Sequence, residues 1–479
     1  MNSLFLKSVL TAVIFSASSF ASTLYHGATV LTLADGDNAG RDNGYLLVSD
    51  DGYIEAVGQG DPLSDPAVRA IHSTADWKTV DLTGKIVMPG FVSGHGHLWQ
   101  SAFRGIAPDG ELWPWLMALH WTYGKFFVPG DFAAFTRHGA LDQLRHGVTT
   151  THNHSQWLPG QDYGLYHEQF DAEAKIPQHF VFSWVSQATA TDEEWRARLK
   201  PMLASLKPAP ATPLLGFTIS ANGMAGRKGQ APDLLAREIK LAREFKLPVH
   251  LHYLESAAEA EEDRAKWPKI KEAGAVAPGV SYAHFIQVDE NILKEAAAAG
   301  AAMIWNPLSN GRLASGLADI PHYLAVGLKV GMGEDGQASG DISDPFENVR
   351  LGLYALRMKE RNARGLQPID VLRLHTVRTA EILGVSSCVG TLTPGKFADF
   401  LVVDPDSPAT GPVFDAAATL VFACNSQNLA AVYVGGCKVV KEGQLVEDDV
   451  ALEADVATRV SRLRQAAAAM KAHPAATHP

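Results

Sequence analysis

Cysteine is scarce in this chain: three in 479 residues, Cys388, Cys424 and Cys437. That is too few for a disulfide framework, although an oxidising compartment would allow one bridge. Positive charge is also short. Lys and Arg number 41 against 52 Asp and Glu, a net charge of −11, which argues against nucleic acid or an anionic membrane surface as the main partner and leaves a small molecule as the expected one. A G-x-S-x-G nucleophile elbow is missing, which removes the main support for a serine hydrolase. What is plentiful is apolar residues, 46%, against 19% charged. That balance excludes disorder and fibre and fits a large globular enzyme with one sizeable core and an accessory domain.

The first 21 residues read as a secretory signal. Lys7 lies in a short polar region, an apolar stretch runs from Val9 to Phe15, and Ser19-Phe20-Ala21 offers small residues where a signal peptidase reads. The apolar stretch is too short to span a bilayer. The expectation is export to the periplasm or beyond, with a mature chain from about Ser22 whose net charge, without Lys7, is −12.

From about residue 80 to 385, short apolar runs alternate with longer amphipathic or Ala-rich stretches, as in β/α units on a parallel sheet. Eight strands are expected: Ile86–Val92, Gly147–His152, Gln178–Trp184, Leu214–Ser220, Pro248–His252, Val280–His284, Ala302–Trp305 and Leu328–Gly333. Helices are expected at Phe132–Arg145, Thr191–Ser205, Ala231–Phe245, Ala257–Ala273 and Asp289–Ala299, several opened by Thr, Asp or Pro. Eight such units suit a TIM (β/α)8 barrel over residues 81–386, with a doubly wound open sheet as the competing topology. The β-rich pieces on either side, 22–80 and 387–447, read as one small β-sandwich built from both ends of the chain. Residues 448–479 read as a helix, clearest from Val456, and a tail.

The most informative short motif is Val87-Met-Pro-Gly-Phe-Val-Ser-Gly-His-Gly-His97. Strand side chains alternate faces, so His95 and His97 emerge on one side at a strand's C-terminal end. Two imidazoles are not a metal site, because a catalytic centre takes three or more protein ligands. In a TIM barrel the other groups come from other strand ends. Strand five reads Pro248-Val-His-Leu-His-Tyr-Leu-Glu255, strand six ends in His284, and strand eight ends in Glu334-Asp335. All are types that bind metals or move protons.

Together with Arg104-Gly105, Gly147-Val-Thr-Thr150, Asn306-Pro-x-Ser-Asn310 and Gly390-Thr-Leu-Thr-Pro-Gly-Lys-Phe-Ala-Asp399, these motifs resemble the amidohydrolase superfamily, and within it the cytosine deaminase and atrazine chlorohydrolase-like branch. The resemblance implies that His95, His97, His252 and Asp335 ligate one divalent metal, with zinc first and iron or manganese also suited to the donors. It implies that Glu255 shuttles protons and that His284 hydrogen-bonds the reacting group or the attacking water, with Asp335 accepting a proton beside the metal. The implied activity is hydrolysis of a non-peptide C–N bond, most simply deamination of a planar nitrogen heterocycle. Amide or cyclic amide hydrolysis and triazine dechlorination are the alternatives at the same site. A non-catalytic scaffold would have lost ligands, and none is missing here. Relatives are commonly dimers, and the sequence leaves oligomeric state open.

Other residues are read from position alone. His250 shares strand parity with His252 but points one layer deeper, as a packed supporting group. His152 and His154 form a second His-x-His near the same mouth, with substrate contact by His154 as the functional reading. The aromatic run after His97 supplies Trp99, which with Arg104 is a candidate substrate contact. Strand four, Leu214–Ser220, lacks the lysine that bridges two metals in binuclear members, so one metal is expected. It also lacks the histidine that relatives acting on adenosine-type substrates often place there, which points away from that specificity. Glu334 stands where relatives usually carry a small or hydroxyl residue. Gly331-Met-Gly-Glu-Asp-Gly336 matches G-x-G-x-x-G, but no clean helix start follows it.

Overall fold

The computed structural model describes residues 22–72, 77–158, 162–221, 233–447 and 449–472. The expected signal segment therefore lies outside the described residues.

Eight parallel strands follow one another in order around a closed sheet. The first is Phe91–His97, then Val148–Asn153, His179–Val185, Leu214–Ser220, Val249–Tyr253, Val280–His284, Ala302–Trp305 and Lys329–Met332. A two-residue extension of the eighth, Asp335–Gly336, pairs with Gly96 and His97 of the first and closes the ring. The barrel, rather than the open sheet, is the topology. Bulky side chains that are fully buried, among them Phe91, Phe180, Phe182, Trp184, Tyr282 and Trp305, pack it. Near-continuous burial along these strands is what helices on the outer face demand of a parallel sheet.

One expected strand divides. Ile86–Val92 is two elements, because Ile86–Pro89 pairs with Thr29–Val30 and with Phe400–Val403 in a second sheet, and the barrel begins only at Phe91. The chain changes sheets at Gly90. A Cβ there would stand 2.1 Å from Thr149 Oγ1, so the crossing needs glycine.

The second sheet has nine strands and joins both ends of the chain, running from Gln444–Leu445 through Phe400–Val403 and Ser22–Val30 to Ile54–Gln59. Its own core includes Tyr25, Val30, Leu46, Val87, Phe400 and Tyr433, with the Phe400 and Tyr433 rings stacked at 4.2 Å. The C-terminal helix, Val450–Ala472, starts earlier than Val456. It lies against helix Asp131–Arg145, where Arg459 and Arg462 both pair with the fully buried Asp131. All three cysteines are free. Among the described residues no helix is long and apolar enough to cross a membrane.

Candidate metal centre and active site

The C-terminal ends of strands one, five, six and eight converge on a cavity of about 240 Å³ lined by His97, His252, Glu255, His284 and Asp335, among others. A larger groove of about 770 Å³ sits by Val280, Ala302 and Lys329, at the opposite, N-terminal ends of strands six to eight. In this fold chemistry belongs to the C-terminal face, and the smaller cavity holds the convergent polar groups.

Barrel closure places Asp335. Its register opposite Gly96 sets the carboxylate between the two histidines of strand one, with Oδ1 at 3.3 Å from His95 Nε2 and 3.5 Å from His97 Nε2. Strands one and eight must approach closely for this. A Cβ on Gly333 would lie 2.8 Å from the His95 backbone nitrogen, so glycine is required. His252 Nε2 lies 3.3 Å from His97 Nε2. His95, His97 and Asp335 thus form one compact group of ligand atoms, and His252 adjoins it through His97.

The hydrogen bonds behind these rings decide which nitrogen is free. His97 Nδ1 donates to the His154 carbonyl at 2.9 Å, which leaves a lone pair on Nε2. His95 Nδ1 meets His250 Nε2 at 2.9 Å, His250 Nδ1 meets Ser281 Oγ at 2.8 Å, and Ser281 donates to the Val249 carbonyl. Read back from that carbonyl, the chain makes His95 Nδ1 the donor and leaves its Nε2 unprotonated. That Nε2 is buried and has no hydrogen-bond partner. A buried ring nitrogen left orphan beside a carboxylate and two further imidazoles fits a divalent cation. His250 is the supporting group expected from strand parity.

His284 is also close enough to join a ligand group with His95 and His252. Its partners argue otherwise. Its Nδ1 accepts from the Asn310 amide at 2.9 Å, with Asn306 at 3.4 Å, so the proton resides on Nε2. That N–H points between Glu255, 3.6 Å away, and Asp335, 3.9 Å away, and is a donor rather than a ligand. Ser309 of the same segment donates to Asp335 Oδ2 at 2.5 Å. The motif Asn306-Pro-x-Ser-Asn310 therefore holds both His284 and Asp335. Its spacing was visible in the sequence, but its roles depend on a turn that only the fold supplies.

Burial drives the electrostatics. It pushes the imidazoles of His95 and His252 well below their ordinary value, lowers that of His97, and takes His284 down to about 4. All four are neutral near pH 7, as metal ligands must be and as His284 must be to accept at Nδ1 while donating at Nε2. Two carboxyls diverge. Burial, then the charges of Asp335, Glu259 and Asp263, raises Glu255 well above the carboxylate range. For Asp335, burial pushes upward, but His284, His97 and the Ser309 hydroxyl outweigh it and hold the group below its ordinary value. The two shifts run in opposite directions, favouring the acid form of Glu255 and the anion of Asp335, the kind of separation that assigns acid and base in such sites.

Backbone strain gathers here too. Leu254, His284, Phe285 and Asp335 have φ of 54°, 70°, 50° and 57°. Left-handed non-glycine residues cost about 1–3 kcal/mol each and collect at functional sites.

The remaining candidates separate. His154 lines the cavity, with Nε2 on Ser220 Oγ at 2.8 Å and Nδ1 buried without a partner. Trp99 does not line it. The ring is fully buried, its indole N–H is spent on Gln156 Oε1 at 3.0 Å, and it packs against Phe103, Phe127 and Phe132. Arg104 is also outside, bound to Asp142, the Ser101 carbonyl and the Asp341 carbonyl in a groove beneath the C-terminal helix. Both lie near His97 in sequence, but their side chains leave on other faces. Glu334 turns away from the metal ligands to His375 Nε2 at 2.8 Å, while His375 Nδ1 meets the Val92 carbonyl. It buttresses the seam between strands eight and one. Trp115, His120, Trp121 and Trp157 line the cavity instead. His120 was missed because a lone histidine in an aromatic loop carries no spacing signal.

The Amidohydrolase family model matches residues 86–439, well over half of the chain and all of the barrel. The chain belongs to the amidohydrolase family. The 5-methylthioadenosine/S-adenosylhomocysteine deaminase of Bacillus cereus (strain AH820) is 28% identical over 451 residues, covering 90% of this chain and 98% of the relative. Among solved structures, a zinc-bound adenosine deaminase from Xanthomonas campestris superposes with a TM-score of 0.79 at 22% identity, over 92% of this chain and 98% of the other. The zinc complex of atrazine chlorohydrolase from Arthrobacter aurescens TC1 gives 0.79 at 23% identity, over 91% and 100%. At these identities the structural matches establish the shared fold. Membership makes this amidohydrolase a metal-dependent hydrolase acting on C–N bonds other than peptide bonds.

Proposed function

We propose that this amidohydrolase is a hydrolytic deaminase of a planar nitrogen heterocycle, with zinc held by His95, His97, His252 and Asp335. The observation that carries the reading is geometric: Glu255 and Asp335 converge on the His284 Nε2–H, at 3.6 and 3.9 Å, beside the compact group of His95, His97 and Asp335. Bound there, the ion supplies Lewis acidity that brings a water's pKa from about 15.7 towards about 7. Asp335, anionic and oriented by Ser309, takes the proton from the attacking water. Glu255, whose acid form burial favours, delivers its proton to the ring nitrogen or to the departing amine. His284, its N–H fixed by Asn310, donates to the oxygen on which charge develops. His154 is placed to touch the substrate. The relatives named for adenosine-type substrates support putting aminopurines first, although strand four carries no histidine.

The test is elemental analysis of purified protein followed by an ammonia-release screen over purines, pyrimidines, pterins and triazines. Ammonia from at least one class is expected. Chloride release, or amide turnover with silence across the panel, would move the assignment to the alternatives. Export rests on the features of residues 1–21. N-terminal sequencing of secreted protein should begin at about Ser22, and an intact Met1 would refute it.

A further inference from the structure

The cavity has two kinds of wall. One carries the ligands, Glu255 and His284; the other is the first βα loop, with Trp115, His120 and Trp121. The polar groups of the second wall divide. The Trp115 indole N–H donates to the Ala338 carbonyl at 2.7 Å, whereas the Gln100 amide, on the same loop and lining the same cavity, has no hydrogen-bond partner at either end. His120 is the unpaired ring of this wall. It lines the cavity at 6% exposure, its Nε2 is buried with no hydrogen-bond partner, and its ring stacks on Trp121 at 18° and packs on Trp99 and Trp115. Aromatic rings on several sides fix the imidazole, and nothing in the protein answers its nitrogen. Buried polar groups are almost always satisfied, and the exceptions call for an absent partner.

Among the described residues no Lys or Arg lines the cavity, and its only acids are Glu255 and Asp335. A substrate bearing phosphate or carboxylate would find no counter-ion among those residues. An uncharged aromatic base would find ring faces from Trp115, Trp121 and Trp157 and a few neutral hydrogen-bonding groups.

We propose that His120 is a specificity-determining residue that hydrogen-bonds a ring nitrogen of an aminated aromatic heterocycle, on an edge away from the leaving amine. The proposal rests on the deaminase reading and names its substrate class. Burial, followed by the field of His97, lowers the His120 imidazole to about 3, so it meets the base as a neutral ring able to donate at one nitrogen and accept at the other.

Purine, which has ring nitrogens but no amine to lose, is the binding probe, read by quenching of the indoles beside His120. His120→Phe keeps the stacked ring without its nitrogens, and His120→Gln keeps a hydrogen-bonding group. Relative to the wild type, His120→Phe should weaken purine binding about tenfold, the size of one buried neutral hydrogen bond, with His120→Gln intermediate. Metal content and melting temperature report that each variant is folded. If Phe fails to fold, the wild-type to Gln comparison carries the test, with Gln at least threefold weaker. Equal affinity in folded variants overturns the role of His120, and a wild type that binds no purine, cytosine or melamine overturns the substrate class. Ammonia release by the wild type is scored separately, so a silent screen with intact purine binding rejects the deaminase reading and leaves the binding role of His120 standing.

Discussion

Two His-x-His pairs stand side by side at the barrel mouth, His95 and His97 on strand one and His152 and His154 on strand two. They have equal spacing, all four rings are buried, and His154 lies 5.4 Å from both His95 and His97. Their chemistry differs because of what has claimed each nitrogen. In the first pair each Nδ1 is engaged behind the ring, and each Nε2 faces Asp335. In the second, His152 is engaged at both ends, with Nδ1 on the Gly94 carbonyl at 3.0 Å and Nε2 on Thr218 Oγ1 at 2.8 Å. His95, His152 and His250 do form a compact triad, but those hydrogen bonds occupy the lone pairs that a second ion would need. Spacing brings imidazoles together; the hydrogen bonds behind them decide which can ligate.

The largest test of that contrast is to remove a first-pair ligand. His97→Ala or Asp335→Ala should abolish both metal retention and turnover, as judged by elemental analysis and product release, whereas His152→Ala should keep its metal. Next in size, Glu255→Gln should retain metal yet lose about 10²–10⁴ in kcat, the usual worth of a positioned acid–base group; a loss below tenfold would remove Glu255 from the proton path. His250→Ala, which frees His95 Nδ1 without removing a ligand, should weaken metal affinity about 10–100-fold in a chelator competition.

The smallest effects belong to His152. Its removal should cost about 1–3 kcal/mol of stability, since it strands buried partners, visible as a lower denaturant midpoint. Burial holds its imidazole at about 4 against an ordinary 6.5. The unfolded chain therefore binds the proton more readily between those values, and the stability that His152 confers is present above pH 6.5 and lost as pH falls towards 4. In the metal-free protein, His152→Gln should flatten that part of the acid-unfolding curve; an unchanged slope would mean the ring is not buried neutral.

Strand ends bearing His and Asp were legible because a parallel barrel puts every such end on one face, so local spacing carried global meaning. Leu214–Ser220, Val280–His284 and Ala302–Trp305 have the same bounds in sequence and structure, being short apolar runs between clear turns. Ile86–Val92 misled because one apolar run serves two sheets, and only the contact at Gly90 divides it. Trp99 and Arg104 misled because closeness in sequence to His97 does not set the direction of a side chain on the tight turn that follows. The tasks of Asn306, Ser309 and Asn310 depend on long-range partners, and the orphaned nitrogen of His120 exists only once the loop has packed.

The central claim is that one ion is held by the first pair with His252 and Asp335, and that the second pair holds none. The most direct measurement is the metal content, after reconstitution with zinc and desalting, of two double variants whose folding is verified by circular dichroism. The account predicts essentially no ion in His95→Ala/His97→Ala and about one per chain in His152→Ala/His154→Ala, as for a single closed ligand set. Zinc retained by the first variant, or lost from the second while it stays folded, would contradict it.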